Sequence, residues 1–147
     1  MIKKVQLNKE KDLADLTRLA VLLWPTLSAD ELVEQWQQKL LSKKLQFFIK
    51  YEEDNPVGFA QVSLRYDFVE GASSSPVAYL EGLYIKDKFR HKGYAKELID
   101  TCIKWARDNK CTEIASSSLL QDSNSQIFHK SIGFNQVCQK VHFIKEI

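Results

Sequence analysis

Two hydrophobic periods divide the chain into helical and extended segments. Apolar residues recur at helical spacing from Leu13 to Leu23 and again from Leu32 to Leu40. Between residues 45 and 85 they form short apolar stretches separated by turn formers, which is typical of strands. The pattern therefore predicts two helices, then a group of strands, with further helices toward the carboxyl end.

Local signals indicate where some of these elements begin and end. Pro25 disfavours helical backbone at Trp24, so the first helix is predicted to end there. The segment Ser28-Ala-Asp-Glu31 has the spacing of a capping box, which predicts reciprocal hydrogen bonds at the start of the second helix. Gly133 follows the last helical segment at the position where left-handed backbone is favoured.

The predicted element order is β-α-α-β-β-β-α-β-α-β. In chain order the elements cover residues 2–7, 13–24, 28–40, 45–51, 57–65, 77–85, 92–108, 111–116, 123–132 and 134–144. The simplest packing for this order is an α/β fold in which helices cover both faces of a mixed sheet. No linker or repeat interrupts the chain, so we expect a single domain over residues 1–147.

Composition excludes several classes of protein. The chain has 147 residues and a net charge of +2, which argues against a dedicated nucleic-acid binder. Cys102, Cys111 and Cys138 form no CxxC pair, which excludes a disulfide framework and a cysteine-rich zinc site. The longest apolar run, residues 19–24, is too short to span a membrane. We therefore expect a cytoplasmic protein that binds neither metal, membrane nor nucleic acid.

A basic turn after the strand at residues 77–85 carries the clearest chemical signal. Its pattern Arg90-x-x-Gly93-x-Ala95 opens a predicted helix, and the free amide groups of a helix start attract anions. Gly93 lacks a Cβ, so a ligand can approach the backbone closely. The surrounding basic residues are Lys86, Lys88, Arg90, Lys92 and Lys96. Because the Walker A and GxGxxG patterns are absent, we predict a pyrophosphate site unlike those for ATP or NAD. The alternative is a solvated basic helix start.

This strand, turn and helix resemble the acetyl-CoA loop of the GNAT acetyltransferases. Nearly the whole chain is similar to the aminoglycoside 6′-N-acetyltransferases. The matching segments are Leu23-Trp-Pro25, Asp67-Phe-Val-Glu-Gly71, Ser74-Ser-Pro76, Leu80-Glu-Gly-Leu-Tyr-Ile85, Phe89 to Ala95, Ala115-Ser116 and His129 to Phe134. The resemblance implies the GNAT fold with a mostly antiparallel sheet, acetyl-CoA as co-substrate, a small-molecule amine as acceptor, and a homodimer.

The same resemblance implies which residues contact acetyl-CoA. The strand backbone at Leu83, Tyr84 and Ile85 would line the pantetheine, at a place where the sheet splays and leaves backbone groups free. Asp122 stands where the family contacts the cofactor with a polar residue, often Asn, and its negative charge departs from that pattern. The residues implied to hold the pyrophosphate are Arg90, His91, Lys92, Gly93, Tyr94 and Ala95.

Two titratable residues are the catalytic candidates. Glu81 stands in an apolar strand, where an unpaired charge is costly. It either contacts the acceptor amine and takes its proton or forms a structural ion pair with a lysine or arginine. By resemblance, His129 stands where many GNAT enzymes have a tyrosine that protonates the leaving CoA thiolate, and imidazole can do the same. The alternative for His129 is a helix residue that faces solvent or caps a neighbour.

The acceptor site departs most from the family pattern. Trp24 would form one wall of it by resemblance, or else serve only as a core residue. Phe68 replaces a usual tyrosine, while Ser117 and Cys138 stand where acids are expected. Because aminoglycosides are polycations, we expect an altered substrate range or efficiency. The alternatives are a GNAT enzyme that acts on another small-molecule or peptide amine, and a CoA-binding module without catalysis.

Overall fold

In the computed structural model, which describes residues 1–147, the strands form one sheet in the order β1-β2-β3-β4-β5. β1 to β4 are antiparallel neighbours, and β5 runs parallel to β4. The strands are β1 Ile2–Lys4, β2 Leu45–Glu52, β3 Asn55–Arg65, β4 Val77–Ile85 and β5 Ile114–Ser116. The helices are α1 Glu10–Leu23, α2 Ala29–Leu41, α3 Tyr94–Asp108 and α4 Ser123–Ser131, with a 3-10 turn at Asp87–Phe89. The predicted α/β class with a mixed, mostly antiparallel sheet is confirmed.

Helices cover both faces of the sheet, so the protein has two hydrophobic cores. Neighbouring residues of a strand face opposite sides, and Phe47 and Phe48 of β2 accordingly enter different cores. Phe47 packs with α1 and α2, whereas Phe48 packs with α3. Burial on both faces therefore explains the three consecutive apolar residues of β2, Phe47 to Ile49. No helix has both the length and the apolar character needed to cross a membrane.

A buried carboxylate joins α1 to the sheet. Asp15 accepts hydrogen bonds from the Tyr51 hydroxyl at 2.7 Å and the Lys11 ammonium at 2.6 Å, and it also pairs with Arg18. Burial raises the pKa of Asp15, but the hydrogen bonds from Lys11, Tyr51 and Arg18 outweigh it, so the pKa lies below its usual value. This cluster fixes the orientation of α1, whose carboxyl end packs against Gly82 of β4.

The ends of the helices agree only in part with the local signals. α1 ends at Leu23 with Trp24 as its C-cap, and Gly133 has a φ of +96° directly after the C-cap of α4, both as predicted. The predicted capping box is wrong. Ser28 is the N-cap of α2, but its side chain makes no capping hydrogen bond, and the backbone carbonyl of Ser28 accepts the first helical bond from Leu32.

The strand predicted at residues 134–144 is wrong for the isolated chain. Residues 134–147, the carboxyl-terminal arm, form no helix or strand and are almost entirely exposed. A strand requires a neighbour for its backbone groups, and the arm pairs with none, although β5 has an open edge. The arm contacts the loop before β4, where Lys140 pairs with Glu70 at 2.9 Å.

Candidate active site

A pocket of about 150 Å³ lies where β4 and β5 separate. β5 pairs with β4 only from Ala78 to Leu80, so the same edge of β4 has no strand partner over residues 81–85. Backbone groups on that edge are available to a ligand. The pocket is lined by Leu80, Glu81, Gly82, Leu83, Ser116, Ser117, Ser125, Phe128 and His129. Four residues predicted for the site, Glu81, Leu83, Ser117 and His129, thus lie together.

Glu81 is the extra residue of a β-bulge. Gln61 of β3 pairs with Gly82, and the next residue, Val62, pairs with Leu80, which leaves Glu81 without a partner on β3. A bulge interrupts the regular alternation of side chains and re-aims the residue that it contains. The bulge explains how a carboxylate fits within an apolar strand.

The Glu81 carboxylate is held by two neighbours from β3. Its Oε1 accepts from the Ser63 hydroxyl at 2.6 Å and from two nitrogens of Arg65 at 2.9 and 3.1 Å. Its Oε2 accepts only from Arg65, at 3.0 Å. The ion pair considered as the structural alternative therefore forms, and the same carboxylate also lines the pocket.

Trp24 lies against the bulge from the side of α1. A Cβ added to Gly82 would lie 2.9 Å from the Trp24 ring, so only glycine fits there without displacing the tryptophan. The ring also packs edge-on against Phe59, with the centroids 5.8 Å apart. Trp24 is thus a core contact of α1 and a direct neighbour of the Glu81–Gly82 segment.

His129 of α4 contacts its own helix through one ring nitrogen and β5 through the other. Its Nε2 lies 2.8 Å from the Ser116 hydroxyl, and its Nδ1 lies 2.7 Å from the backbone carbonyl of Ser125. The ring also meets Phe134 edge-on at 5.2 Å. Sequence reasoning missed Ser116, because the two partners are 13 residues apart on different elements and no local motif joins them.

The predicted pyrophosphate turn has left-handed backbone at two positions. His91 has a φ of +63° and Gly93 a φ of +83°. Gly93 is the N-cap of α3, and the first helical hydrogen bond runs from the Glu97 amide to the Gly93 carbonyl. The amides of residues 94–96 are therefore free to bind an anion.

Basic residues of this turn are already paired with carboxylates. Glu52 of β2 accepts from the Tyr94 hydroxyl at 2.5 Å and from Lys92 at 3.1 Å. These hydrogen bonds, that from Tyr94 first, hold the pKa of Glu52 below its usual value. Arg90 pairs with Asp87 at 3.0 Å. Sequence reasoning missed Glu52, since it lies 40 residues before Lys92.

Three further predicted residues lie outside the pocket. Asp122 is the N-cap of α4, where its carboxylate accepts from the Ser125 amide at 3.1 Å. Phe68 is 84% exposed in the loop between β3 and β4. Cys138 is exposed on the carboxyl-terminal arm. Ser117, in contrast to these three, lines the pocket, and its side chain is exposed.

Hydrogen bonds at and beside the Ser-Ser-Pro segment connect the long loop before β4 to Glu113. Glu113, just before β5, accepts from the Ser73 amide at 2.9 Å and from the Ser74 hydroxyl. These hydrogen bonds, that from Ser74 first, lower the pKa of Glu113. The segment thus ties the loop to the start of β5.

No cluster of three or more His, Cys, Asp or Glu side chains could hold a metal ion.

Residues 13–134 match the model of the acetyltransferase (GNAT) family. The chain belongs to the GNAT acetyltransferase family. It is 33% identical to the aminoglycoside N(6′)-acetyltransferase type 1 of Acinetobacter baumannii, over 94% of each chain. Identity to the enzyme of the same name from Stenotrophomonas maltophilia is 35%, over 90% of this chain and 86% of the relative.

Solved structures of GNAT enzymes share the fold. AAC(6′)-Iy in complex with the bisubstrate analog CoA-S-monomethyl-acetylneamine superposes with a TM-score of 0.90 at 30% identity, covering 100% of this chain and 99% of that one. AAC(6′)-Iy in complex with CoA gives a TM-score of 0.93 over 100% and 95% of the chains, also at 30% identity. The resemblance to aminoglycoside 6′-N-acetyltransferases that the sequence predicts is confirmed.

Proposed function

We propose that this GNAT protein transfers the acetyl group of acetyl-CoA to the 6′-amine of an aminoglycoside, and so confers resistance to these antibiotics. The observation that carries the proposal is the unpaired edge of β4, which leads directly into the turn with the free amides of α3. Acetyl-CoA has an extended pantetheine chain joined to a pyrophosphate. The edge of β4 suits the pantetheine, and the helix start that follows suits the pyrophosphate. Relatives and structural neighbours named for this reaction support the choice of acceptor.

In this proposal acetyl-CoA is held mainly by backbone groups. The edge of β4 at Leu83, Tyr84 and Ile85 binds the pantetheine, and the turn from Arg90 to Ala95 binds the pyrophosphate. Lys92 exchanges its contact with Glu52 for a phosphate oxygen when the co-substrate binds. A backbone amide near Leu83 polarises the thioester carbonyl.

The acceptor amine is recognised by charge and shape. Glu81 has the less occupied oxygen, Oε2, available to an ammonium group, and Trp24 offers an aromatic wall beside it. Ser117 and Cys138 are uncharged at positions where the family resemblance implies acids. Fewer carboxylates are therefore available to pair with the positive charges of the aminoglycoside. The amine attacks the thioester directly in a ternary complex, and alignment of the two substrates provides most of the acceleration.

The open edge of β5 and the exposed arm support a homodimer. The arm exposes several large apolar side chains, and a monomer gains nothing from leaving them in water. They are Val137, Val141, Phe143, Ile144 and Ile147. A second copy that covers the arm would bury them and supply a strand partner for the arm.

Free thiols support a cytoplasmic location for this one-domain chain. Cys102 and Cys111 are buried and unpaired, and burial raises the pKa of Cys102 to about 12. Cysteines that form no disulfide are typical of proteins in a reducing compartment.

Thiol release from acetyl-CoA in the presence of kanamycin or tobramycin tests the proposal. We expect turnover with these aminoglycosides well above the rate without acceptor. Turnover only with polyamines, amino acids or peptides would move the protein to another acceptor class. Thermal stabilisation by CoA without transfer to any amine would identify a non-catalytic CoA-binding module.

A further inference from the structure

The hydrogen bonds of His129 determine which of its nitrogens carries the proton. The Ser125 carbonyl, 2.7 Å from Nδ1, can only accept, so Nδ1 carries a hydrogen, and the Ser125 hydroxyl, 3.4 Å from Nδ1, is then a second, more distant acceptor. In the neutral ring Nε2 is then an acceptor, and the Ser116 hydroxyl, 2.8 Å away, donates to it. The Ser116 oxygen retains two lone pairs for a donor from another molecule.

Ser116 lies where an incoming amine would need an acceptor. It is the last residue of β5, opposite Leu80 and therefore adjacent to the bulge at Glu81. Ser116, Glu81 and His129 line the same pocket. The hydrogen-bond chain is thus directed from the pocket to Ser116, then to the imidazole of His129.

Glu81 is less suited to remove the proton. Its Oε1 already accepts three hydrogen bonds, and Arg65 contacts both carboxylate oxygens. A carboxylate so occupied can attract an ammonium group, but moving a proton onto it would weaken its pairing with Arg65. Neutral Nε2 of His129 has one partner, a hydroxyl that can pass a proton along.

We propose that Ser116 is a catalytic residue, which carries the proton of the acceptor amine to His129, while Glu81 holds the amine. This inference rests on the proposed acetyl transfer and names the residues that perform its proton step. His129 still protonates the CoA thiolate in this proposal, and Ser116 carries the proton from His129 to the sulfur.

In the proposed step one proton moves from the amine to the CoA sulfur by way of Ser116 and His129. The ammonium first loses a proton to solvent, and the lone pair of the neutral amine forms the C–N bond. An N–H proton passes to the Ser116 oxygen as the hydroxyl proton of Ser116 passes to Nε2 of His129. The C–S bond breaks with its electron pair on sulfur. Return of the proton through Ser116 gives the free thiol of CoA and the neutral imidazole.

Steady-state kinetics of three variants test this assignment. Ser116→Ala removes the carrier, and His129→Gln keeps a hydrogen-bond acceptor but removes the base. We expect kcat to fall about 100-fold in each, within the usual range for general acid–base groups, with both KM values changed less than about 2-fold. The double variant should be no slower than the single ones, because the two residues act as a unit.

Matched variants separate this role from a structural one. Ser116→Thr keeps the hydroxyl and should restore most of kcat. Ser118→Ala removes an exposed neighbouring hydroxyl that contacts only the Leu119 carbonyl, and it should behave like the wild type. Wild-type kcat in Ser116→Ala, beside a large loss in Glu81→Gln, would overturn the assignment but leave acetyl transfer intact. An acetyl group trapped on Ser116 without amine would also overturn it, because Ser116 would then be the nucleophile.

The tautomer of His129 tests the same inference without any turnover. Nitrogen-15 NMR of histidine-labelled protein, assigned through the missing signal of His129→Gln, should show a neutral ring protonated at Nδ1. A ring protonated at Nε2 could not accept the hydroxyl proton of Ser116, and this result would overturn the proposal. If no aminoglycoside is acetylated, the proposed function fails, and the NMR result still decides the hydrogen-bond chain.

Discussion

Two glycines in left-handed backbone mark ends of helices, and only one of them belongs to the proposed co-substrate site. Gly93 precedes α3 with a φ of +83°, and Gly133 follows α4 with a φ of +96°. A Cβ at either position would meet no atom within 4 Å, so a substitution is strained by its backbone and not by crowding. The two positions are therefore matched in local sterics and differ only in the roles proposed for them.

Gly93→Glu should abolish binding of acetyl-CoA, while Gly133→Glu should not. Both variants should lose about 1–2 kcal/mol of stability from the left-handed backbone. Only Gly93→Glu places a carboxylate beside the free amides of α3. The measurement is the rise in Tm caused by acetyl-CoA. An undiminished rise in Gly93→Glu would remove this turn from the co-substrate site.

At the scale of elements, the position of α1 links the core to the pocket. Asp15 fixes the helix to β2, and Trp24 at its end packs against Gly82 of β4. The bulge at Glu81 and the ring of Trp24 therefore depend on each other. A change at either one is expected to affect both stability and the acceptor site.

Asp15→Asn should lower the free energy of unfolding by about 2 kcal/mol at neutral pH, because the buried Tyr51 hydroxyl and the exposed Lys11 and Arg18 lose a charged hydrogen-bond partner. The folded pKa of Asp15 lies below its unfolded value, which is about 4. The stabilisation is therefore present above pH 4 and is lost as the pH falls through the folded pKa. Urea unfolding of both proteins from pH 7 to pH 3 should show the difference shrinking.

The matched control for Asp15 is Asp100→Asn. Asp100 pairs with Lys96 on the exposed surface of α3, and such pairs contribute less than about 1 kcal/mol. A difference between wild type and Asp15→Asn that stayed constant down to pH 3 would show that the carboxylate charge does not stabilise the fold.

Gly82→Ala should cost about 1–3 kcal/mol and raise the KM for the aminoglycoside more than the KM for acetyl-CoA. The added methyl group meets the Trp24 ring at 2.9 Å. Trp24→Leu removes that contact, so the double variant should be less destabilised than the sum of the two changes. Additive losses in thermal unfolding would mean that Trp24 and the bulge are independent.

At the scale of the whole molecule, local chemistry was easier to predict than long-range pairing. The turn at Gly93 could be predicted because a strand end, a glycine and a helix start are adjacent in the chain. The bulge at Glu81 could not, since it depends on the register with β3. The contacts of His129 with Ser116 and of Lys92 with Glu52 likewise join distant segments.

The carboxyl-terminal arm shows the same limit at the largest scale. Its apolar pattern indicates a strand, but strand formation requires a partner, and in the isolated chain the arm pairs with no strand. Sedimentation of the wild type should therefore show a dimer. Val141→Asp combined with Phe143→Asp should yield monomers, while Gln139→Asp with Lys145→Asp, on the same arm, should not. A monomeric wild type at micromolar concentration would contradict the proposed dimer.

Acetyl transfer to the 6′-amine is tested most directly by the structure of the product. Kanamycin incubated with acetyl-CoA and the enzyme should yield one monoacetylated product, whose NMR spectrum places the acetyl group on the 6′-nitrogen. Omitting the enzyme should leave kanamycin unchanged. A folded protein that binds acetyl-CoA but yields no acetylated kanamycin, or acetylates another nitrogen, would contradict the account.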